Sequence, residues 1–249
     1  MGKITHDTFV CIDCETTGLD TEKDRIIEIA AVKFTFDKTF ESIESLIDPQ
    51  CEITEESQKI HNISQKMVFG KPLIKEILPK ILEMANDHIV IGHGIAFDIA
   101  VMNSEAKRNN IPCAHEHFTY IDTLRLARLY GDSPFNSLEM LRQHFNIPNE
   151  GAHRAMNDVI VNIEVFKKLT QSFSTTEQLL ERLKKPIALK TMPLGKHKGR
   201  RFEDIPSEYL QWVASKDFDQ DLLYSVRLEL KNRKRGSSFS QASNPFSVL

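Results

Sequence analysis

The stretch that most constrains this chain is residues 9–18, which reads Phe-Val-Cys-Ile-Asp-Cys-Glu-Thr-Thr-Gly. An apolar, strand-forming run carries two acids, Asp13 and Glu15, before two threonines and Gly18 end it. Side chains two residues apart in a strand point to the same side, so both carboxylates project together. Two adjacent acids at the end of a buried strand are unfavourable unless positive charge lies between them, and the stretch contains no lysine or arginine. The pattern indicates a divalent cation bound by oxygen ligands, while a strand that ends in solvent with two hydrated acids stays open.

Charge is distributed unevenly along the 249 residues. From Lys184 onward 13 basic residues accompany 7 acidic ones, whereas the preceding part is acidic. A hydrophobic fraction of 41% and a charged fraction of 27% are ordinary for a globular protein. The uneven charge suits a metal-binding enzyme with an appended part that holds a polyanion, and a chance distribution is the alternative.

The chain has no apolar stretch of about 20 residues and no signal-peptide core at its N-terminus. These features predict a cytoplasmic protein without a membrane partner. Four cysteines do not make a disulfide framework in a chain of this length. Cys11 and Cys14 are three apart in a strand and face opposite sides, which favours buried thiols over a zinc site.

Three β-rich segments open the chain, and helical segments then alternate with strands. Segments 9–14, 26–36 and 38–47 are joined by short connections, which predicts an antiparallel meander. Short strands are expected at 89–91 and 118–121. Apolar periodicity predicts helices over 73–85, 97–109, 137–145 and 155–169. This order predicts an α/β domain with a mixed sheet flanked by helices.

Composition changes near residues 172–190. We expect a main domain over 1–172 and a linker over 173–190. Residues 191–235 are expected to form a small basic α+β appendage, which ends in a helix over 222–231. The tail 236–249 is rich in serine and asparagine and is predicted to be disordered.

Two further acids and a histidine lie where predicted helices begin. They are Asp98, His153 and Asp158. Taken singly, each has an ordinary explanation as a first-turn acid, a capping histidine or a solvated acid. Their joint order after Asp13 and Glu15, each where an apolar strand or helix begins or ends, is much less expected by chance.

These motifs resemble the histidine branch of the DEDD 3′–5′ exonuclease superfamily. That branch has an RNase H-like fold and includes the epsilon proofreading subunit of bacterial DNA polymerase III, oligoribonuclease and ribonuclease T. The similarity covers roughly residues 7–170, and the matching stretches are 13–18, 92–98, 121–124 and 153–158. Segment 192–212, with Gly-Lys-His-Lys-Gly, Ile-Pro and Tyr-Leu-x-Trp, resembles the C-terminal region of exonuclease X within this branch.

The resemblance implies a role for each acid and for the histidine. Asp13, Glu15, Asp98 and Asp158 would hold two Mg²⁺ or Mn²⁺ ions, with Asp13 bridging them. His153 would deprotonate the water that attacks the terminal phosphodiester, a role that suits an imidazole titrating near neutrality.

The resemblance also implies residues that contact the substrate. Those expected to bind the 3′-terminal nucleotide are Thr16, Thr17, Gly18, Leu19, His61, His93 and Phe97. The basic residues expected to contact phosphates are Lys196, Lys198, Arg200 and Arg201. A solvated charged turn is the alternative for this basic group.

The function implied is a metal-dependent 3′–5′ exonuclease that hydrolyses DNA and releases nucleoside monophosphates in repair or proofreading. The same chemistry on RNA stays open, because metals address the phosphate while other contacts read the 2′-hydroxyl. An alternative from another class is a non-catalytic nucleic-acid-binding module that accompanies a polymerase. The implied partners are DNA or RNA and a DNA polymerase or replication clamp; strandedness and oligomeric state are not predicted.

Overall fold

The computed structural model describes residues 2–112, 118–130, 136–148 and 154–242. The chain divides into two compact units. The first contains residues 1–126 and 137–183, and the second contains residues 127–136 and 184–249.

The first unit is built on a five-stranded mixed sheet with the order β3-β2-β1-β4-β5. Its strands are β1 (Phe9–Thr16), β2 (Ile26–Phe34), β3 (Thr39–Leu46), β4 (Ile89–Gly92) and β5 (Tyr120–Asp122). β2 pairs antiparallel with both β1 and β3, which confirms the predicted meander. β4 runs parallel to β1, and β5 runs parallel to β4. The carboxyl ends of these three parallel strands therefore meet at one edge of the sheet, where open α/β sheets commonly bind ligands.

The helices lie close to the predicted positions, except at the C-terminus. They are α1 (Glu55–His61), α2 (Gln65–Val68), α3 (Ile74–Ala85), α4 (Ala96–Arg108), α5 (Thr123–Tyr130), α6 (Leu138–His144), α7 (Ala155–Leu169), α8 (Thr176–Lys184), α9 (Ser207–Ala214) and α10 (Gln220–Ala242). α10 was expected to end at Lys231, but its backbone continues through part of the predicted tail. Residues 243–249 lie outside the described residues. Among the described helices, none has the length and apolar character that crossing a membrane requires.

Alternation along β1 sends its side chains to two different helical layers. Val10 and Ile12 belong to the apolar cluster that includes residues of α3 and α4. On the opposite face, the Phe9 ring contacts Phe166 of α7 at a centroid distance of 5.1 Å, and the Cys11 thiol lies 3.8 Å from the Val159 carbonyl oxygen. Asp13 and Glu15 continue the odd-numbered series and share the face that α7 covers.

The second unit has its own apolar core. Its buried members are Met192, Phe202, Ile205, Leu210, Val213, Leu222 and Val226. The Arg128 guanidinium forms ion pairs with Asp219 at 2.9 Å and Asp221 at 3.0 Å. In the described part of this unit, β pairing is limited to a single bridge between Thr191 and Arg201, so the appendage is mainly helical.

Candidate active site

Three acids from two elements converge at the carboxyl end of β1. Asp13 and Glu15 project from β1, and Asp158 lies in the first turn of α7. One carboxylate oxygen from each of the three lies within 4.8 Å of the other two. This confirms that the first two acids point to the same side, and it brings Asp158 to them across 143 residues of sequence.

Asp98 approaches the same strand from α4. It is buried in the first turn of that helix, and its Oδ1 accepts a hydrogen bond of 3.0 Å from the backbone N–H of Cys14. Cys14 stands between Asp13 and Glu15 in β1. The negative charge of Asp98 also raises the pKa of Asp13, so the four predicted acids share one electrostatic environment.

Burial and mutual repulsion make ionisation of these acids unfavourable. Burial raises the pKa of Asp13 well above its usual range, and the charges of Asp98, Asp158 and Glu15 add to the effect. Burial, followed by the charge of Asp158, raises the pKa of Glu15 to about 7. Burial raises the pKa of Asp98 to about 7, although the N–H of Cys14 acts in the opposite direction. A hard divalent cation favours a group of carboxylate oxygens of this kind and would stabilise their ionised forms, so the donor set fits such an ion.

Without metal, the stability of the protein should fall as pH rises from about 5 to about 8. A carboxyl whose pKa is raised by folding contributes stability below its unfolded pKa and loses it as pH rises through the folded value. Glu15, with a folded pKa of about 7, therefore weakens the metal-free fold across this interval. The melting temperature in EDTA should show this when wild type is compared with Glu15→Gln, which cannot ionise. We expect the melting temperature of the variant to rise relative to that of wild type between pH 5 and pH 8. An equal difference in melting temperature at both pH values would contradict the raised pKa of Glu15.

An ion pair with one buried partner fixes the start of α7. Glu28 of β2 is fully buried and stands opposite Glu15 in the pairing of β1 with β2. Its Oε1 accepts from Arg154 Nη2 at 2.6 Å, and its Oε2 accepts from the backbone N–H of Ala155 at 3.0 Å. Since Ala155 begins α7, this contact holds the helix turn that carries Asp158. Our sequence reasoning missed Glu28; the available signal was one acid inside the apolar run 26–32.

The loop after β1 is held by its own hydrogen bonds. Thr17 Oγ1 donates to Asp24 Oδ1 at 2.7 Å and accepts from the backbone N–H of Arg25 at 3.0 Å. A Cβ atom on Gly18 would lie 2.5 Å from Asp24 Oδ2, so any other residue there would displace the carboxylate that Thr17 contacts. Thr16 Oγ1 donates to the Gly18 carbonyl at 2.6 Å. The Leu19 side chain beside this turn is 87% exposed, so the fixed loop presents one apolar group to solvent.

Two of the predicted binding residues lie at the same edge of the sheet as Asp13. His93 directly follows β4, and its Nδ1 lies 3.0 Å from Thr123 Oγ1. Phe97 is in the first turn of α4 and packs partly against the core. Their contact with a nucleotide stays a prediction.

His61 is buried at the end of α1. Its Nδ1 accepts from the backbone N–H of Ile63 at 2.9 Å, and burial lowers the pKa of the imidazole. Its Nε2 has no hydrogen-bond partner among the described residues. Ser57 in the same helix donates to the Thr17 carbonyl at 2.5 Å, which links α1 to the loop after β1.

The other predicted site residues are His153 and the basic group of segment 195–201. His153 lies outside the described residues, so its role as the base stays a prediction. The predicted phosphate contacts are exposed residues of the second unit, namely Lys196, Lys198, Arg200 and Arg201. Arg201 forms an ion pair of 3.0 Å with Glu203.

Comparison with known proteins identifies the class to which this fold and acid cluster belong. The family model for the exonuclease family, RNase_T, matches residues 10–166. The chain belongs to this exonuclease family, within the DEDD 3′–5′ exonuclease superfamily. Members of the superfamily depend on divalent metals, in agreement with the cluster of Asp13, Glu15 and Asp158.

The most similar relatives include replicative polymerase components. The DNA polymerase III subunit epsilon of Aquifex aeolicus is 34% identical over 172 residues, which cover 66% of this chain and 81% of that protein. The PolC-type DNA polymerase III of Caldanaerobacter subterraneus is 37% identical over 164 residues, which cover 66% of this chain. The matched region is only 12% of that polymerase, so this chain corresponds to a small part of it.

Solved structures share the fold at lower identity. Exonuclease X in complex with 5′ overhanging duplex DNA is 24% identical with a TM-score of 0.55, and the match covers 70% of this chain and 99% of that one. A structure of exonuclease I is 21% identical with a TM-score of 0.61, covering 71% of this chain and 43% of that one. These similarities confirm the predicted RNase H-like mixed sheet. A second family model, whose description names a quorum-sensing-regulated virulence factor, matches residues 179–228.

Proposed function

We propose that this protein is a divalent-metal-dependent 3′–5′ exonuclease that hydrolyses DNA and releases nucleoside monophosphates in repair or proofreading. The observation that carries the proposal is the convergence of Asp13, Glu15 and Asp158 within 4.8 Å, with Asp98 against the same strand. Membership of the exonuclease family supports phosphodiester hydrolysis as the reaction that this cluster would serve.

Asp13, Glu15, Asp98 and Asp158 would hold two Mg²⁺ or Mn²⁺ ions. When bound, such ions supply positive charge to the entering and leaving oxygens of a phosphodiester and lower the pKa of water. The protein contributes the positions of the acids, since β1, α4 and α7 each fix at least one of them. Ionised, coordinated carboxylates are poor proton acceptors, so we assign the base to His153.

The loop after β1 would receive the 3′-terminal nucleotide. Its hydrogen bonds fix Thr16, Thr17 and Gly18, and the exposed Leu19 would lie against the base as an apolar wedge. His93 and Phe97, at the same edge of the sheet, would flank the nucleotide. His61, joined to this loop through α1, completes the proposed substrate contacts.

DNA is proposed as the substrate because the matching relatives are DNA polymerase III proteins and a fold neighbour was solved with duplex DNA. A DNA polymerase is the protein partner that these relatives suggest, and the cytoplasm would be the place of action. The proposal concerns this chain, which spans 12% of the PolC-type relative.

A nuclease assay on end-labelled strands tests the proposed activity. With Mg²⁺ or Mn²⁺, 5′-labelled DNA should shorten one nucleotide at a time, while 3′-labelled DNA should release its label as mononucleotide at once. EDTA and Asp158→Asn should each abolish both the shortening and the release of label. Parallel assays on RNA and on duplex DNA report the preference for sugar and for strandedness. Release of the 5′ label first, or hydrolysis that persists in EDTA, would refute the proposal.

A further inference from the structure

The second unit carries a set of neighbouring aromatic rings, one of which is half-exposed. We call Tyr209, Trp212 and Phe218 the aromatic platform. Ring centroids are 5.4 Å apart between Tyr209 and Trp212, and 6.3 Å apart between Trp212 and Phe218. Trp212 is 48% exposed, so a large apolar surface faces solvent.

The three rings differ in burial, because Tyr209 and Phe218 pack partly against the core of the unit whereas Trp212 is exposed. Leu210 and Val213 point inward and are fully buried. Tyr209 and Trp212 are three residues apart and stand side by side on another face of the helix. Leu210 and Val213, with Tyr209 beside them, supply the packing of α9, and much of the Trp212 ring stays accessible to a ligand.

Two lysine side chains lie against rings of the platform. Lys196 Nζ lies 5.0 Å from the centroid of the Tyr209 ring, and Lys216 Nζ lies 5.9 Å from that of Trp212. The His197 ring meets the Tyr209 ring edge-on, with 4.5 Å between the ring centroids. Lys198 and Arg200 are exposed in the same 195–201 segment as Lys196. The half-exposed Trp212 ring, with lysines beside it and beside Tyr209, complements a ligand that has flat faces and a negatively charged backbone.

We propose that the aromatic platform is a second nucleic-acid site, which stacks unpaired bases of the substrate strand while the neighbouring lysines meet its phosphates. Single-strand-binding proteins combine these two elements, because every base has a face that stacks whatever its sequence. Exposed cation–π contacts are weaker than base–aromatic stacking, so a base can displace Lys196 or Lys216 from its ring. This second site rests on the proposed function, which identifies the bound strand as the nuclease substrate.

The platform contains the only tryptophan of the chain, so intrinsic fluorescence reports on it directly. The full-length Asp158→Asn protein would be titrated in EDTA with an oligothymidylate of twelve nucleotides. The substitution and the EDTA together prevent hydrolysis during the measurement. We expect saturable quenching of Trp212 fluorescence. Affinity measured by anisotropy of a labelled oligonucleotide should fall on the order of tenfold in Trp212→Ala and in Tyr209→Ala, since each removes a stacking surface.

Two variants control for non-specific effects. Trp212→Phe retains a stacking ring and should bind within a few-fold of the parent. Tyr224→Ala removes another exposed aromatic ring of the second unit and should leave affinity unchanged. Circular dichroism verifies that each variant is folded.

Absence of quenching, together with unchanged affinity in both platform variants, would overturn the inference and assign the surface to a different partner, such as a protein. Because the titration is done without catalysis, its outcome is independent of the nuclease assay. A protein that binds the oligonucleotide through Trp212 but hydrolyses nothing would contradict the proposed function and leave the platform in place.

Discussion

Asp13→Asn is expected to reduce hydrolysis on the order of 10³-fold, the scale found when a group that stabilises developing charge is removed from an active site. The substitution keeps the shape of the side chain but removes the anionic ligand that lies among Glu15, Asp98 and Asp158. Single-turnover hydrolysis of 5′-labelled DNA at saturating Mn²⁺ measures the effect. Glu22→Gln is the matched control, since it neutralises an exposed acid in the loop that follows β1.

The same variant separates loss of function from loss of fold. Ionised Asp13 is repelled by its neighbours, so its neutral replacement should not lower the melting temperature in EDTA. Addition of Mn²⁺ should raise the melting temperature of wild type and should do little to Asp13→Asn. Activity of the variant within tenfold of wild type would remove Asp13 from the proposed metal site.

Arg154→Ala should destabilise the protein by about 2 kcal/mol, because it removes the ionic partner of the buried Glu28 carboxylate; the Arg154 side chain is itself 39% exposed, so the loss is smaller than for a fully buried pair. Glu28 is fully buried, and Arg154 provides two of its hydrogen-bond donors. Adding Glu28→Gln to Arg154→Ala removes the uncompensated charge and should recover part of the loss. Urea unfolding followed by circular dichroism gives the free energies.

A surface ion pair on the same helix provides the comparison. Lys167 lies 2.9 Å from Glu164 in α7, and the Glu164 side chain is 43% exposed. Lys167→Ala should therefore cost roughly 0.5 kcal/mol or less. If Arg154→Ala cost no more than Lys167→Ala, the proposal that the Glu28 pair fixes the start of α7 would be wrong.

Elements with a strong apolar period were predictable from the sequence. The bounds of α7 agree with the prediction, because Val159, Ile163 and Phe166 repeat at helical spacing against the sheet. The shared direction of Asp13 and Glu15 followed from the alternation of side chains in a strand. The convergence of Asp158 with them required the resemblance, because spacing along the chain does not determine which elements meet.

Features that depend on a distant partner were not predictable. Glu28 belongs to a continuous apolar strand, and its partner Arg154 is 126 residues away. Nor does the sequence indicate that Trp212 is half-exposed, since a tryptophan in a short amphipathic helix suits a core equally well. α10 runs beyond Lys231 without an apolar period, so periodicity placed its end too early; the helix propensity of lysine and arginine favours the extension as far as Arg235.

The most direct test of the acid cluster is the position of Mn²⁺ in crystals grown with the ion, located by anomalous diffraction. The account predicts two peaks in contact, at about 2.0–2.6 Å, with carboxylate oxygens drawn from Asp13, Glu15, Asp98 and Asp158. Full occupancy by Mn²⁺ elsewhere in the protein, with no peak among these four acids, would contradict it.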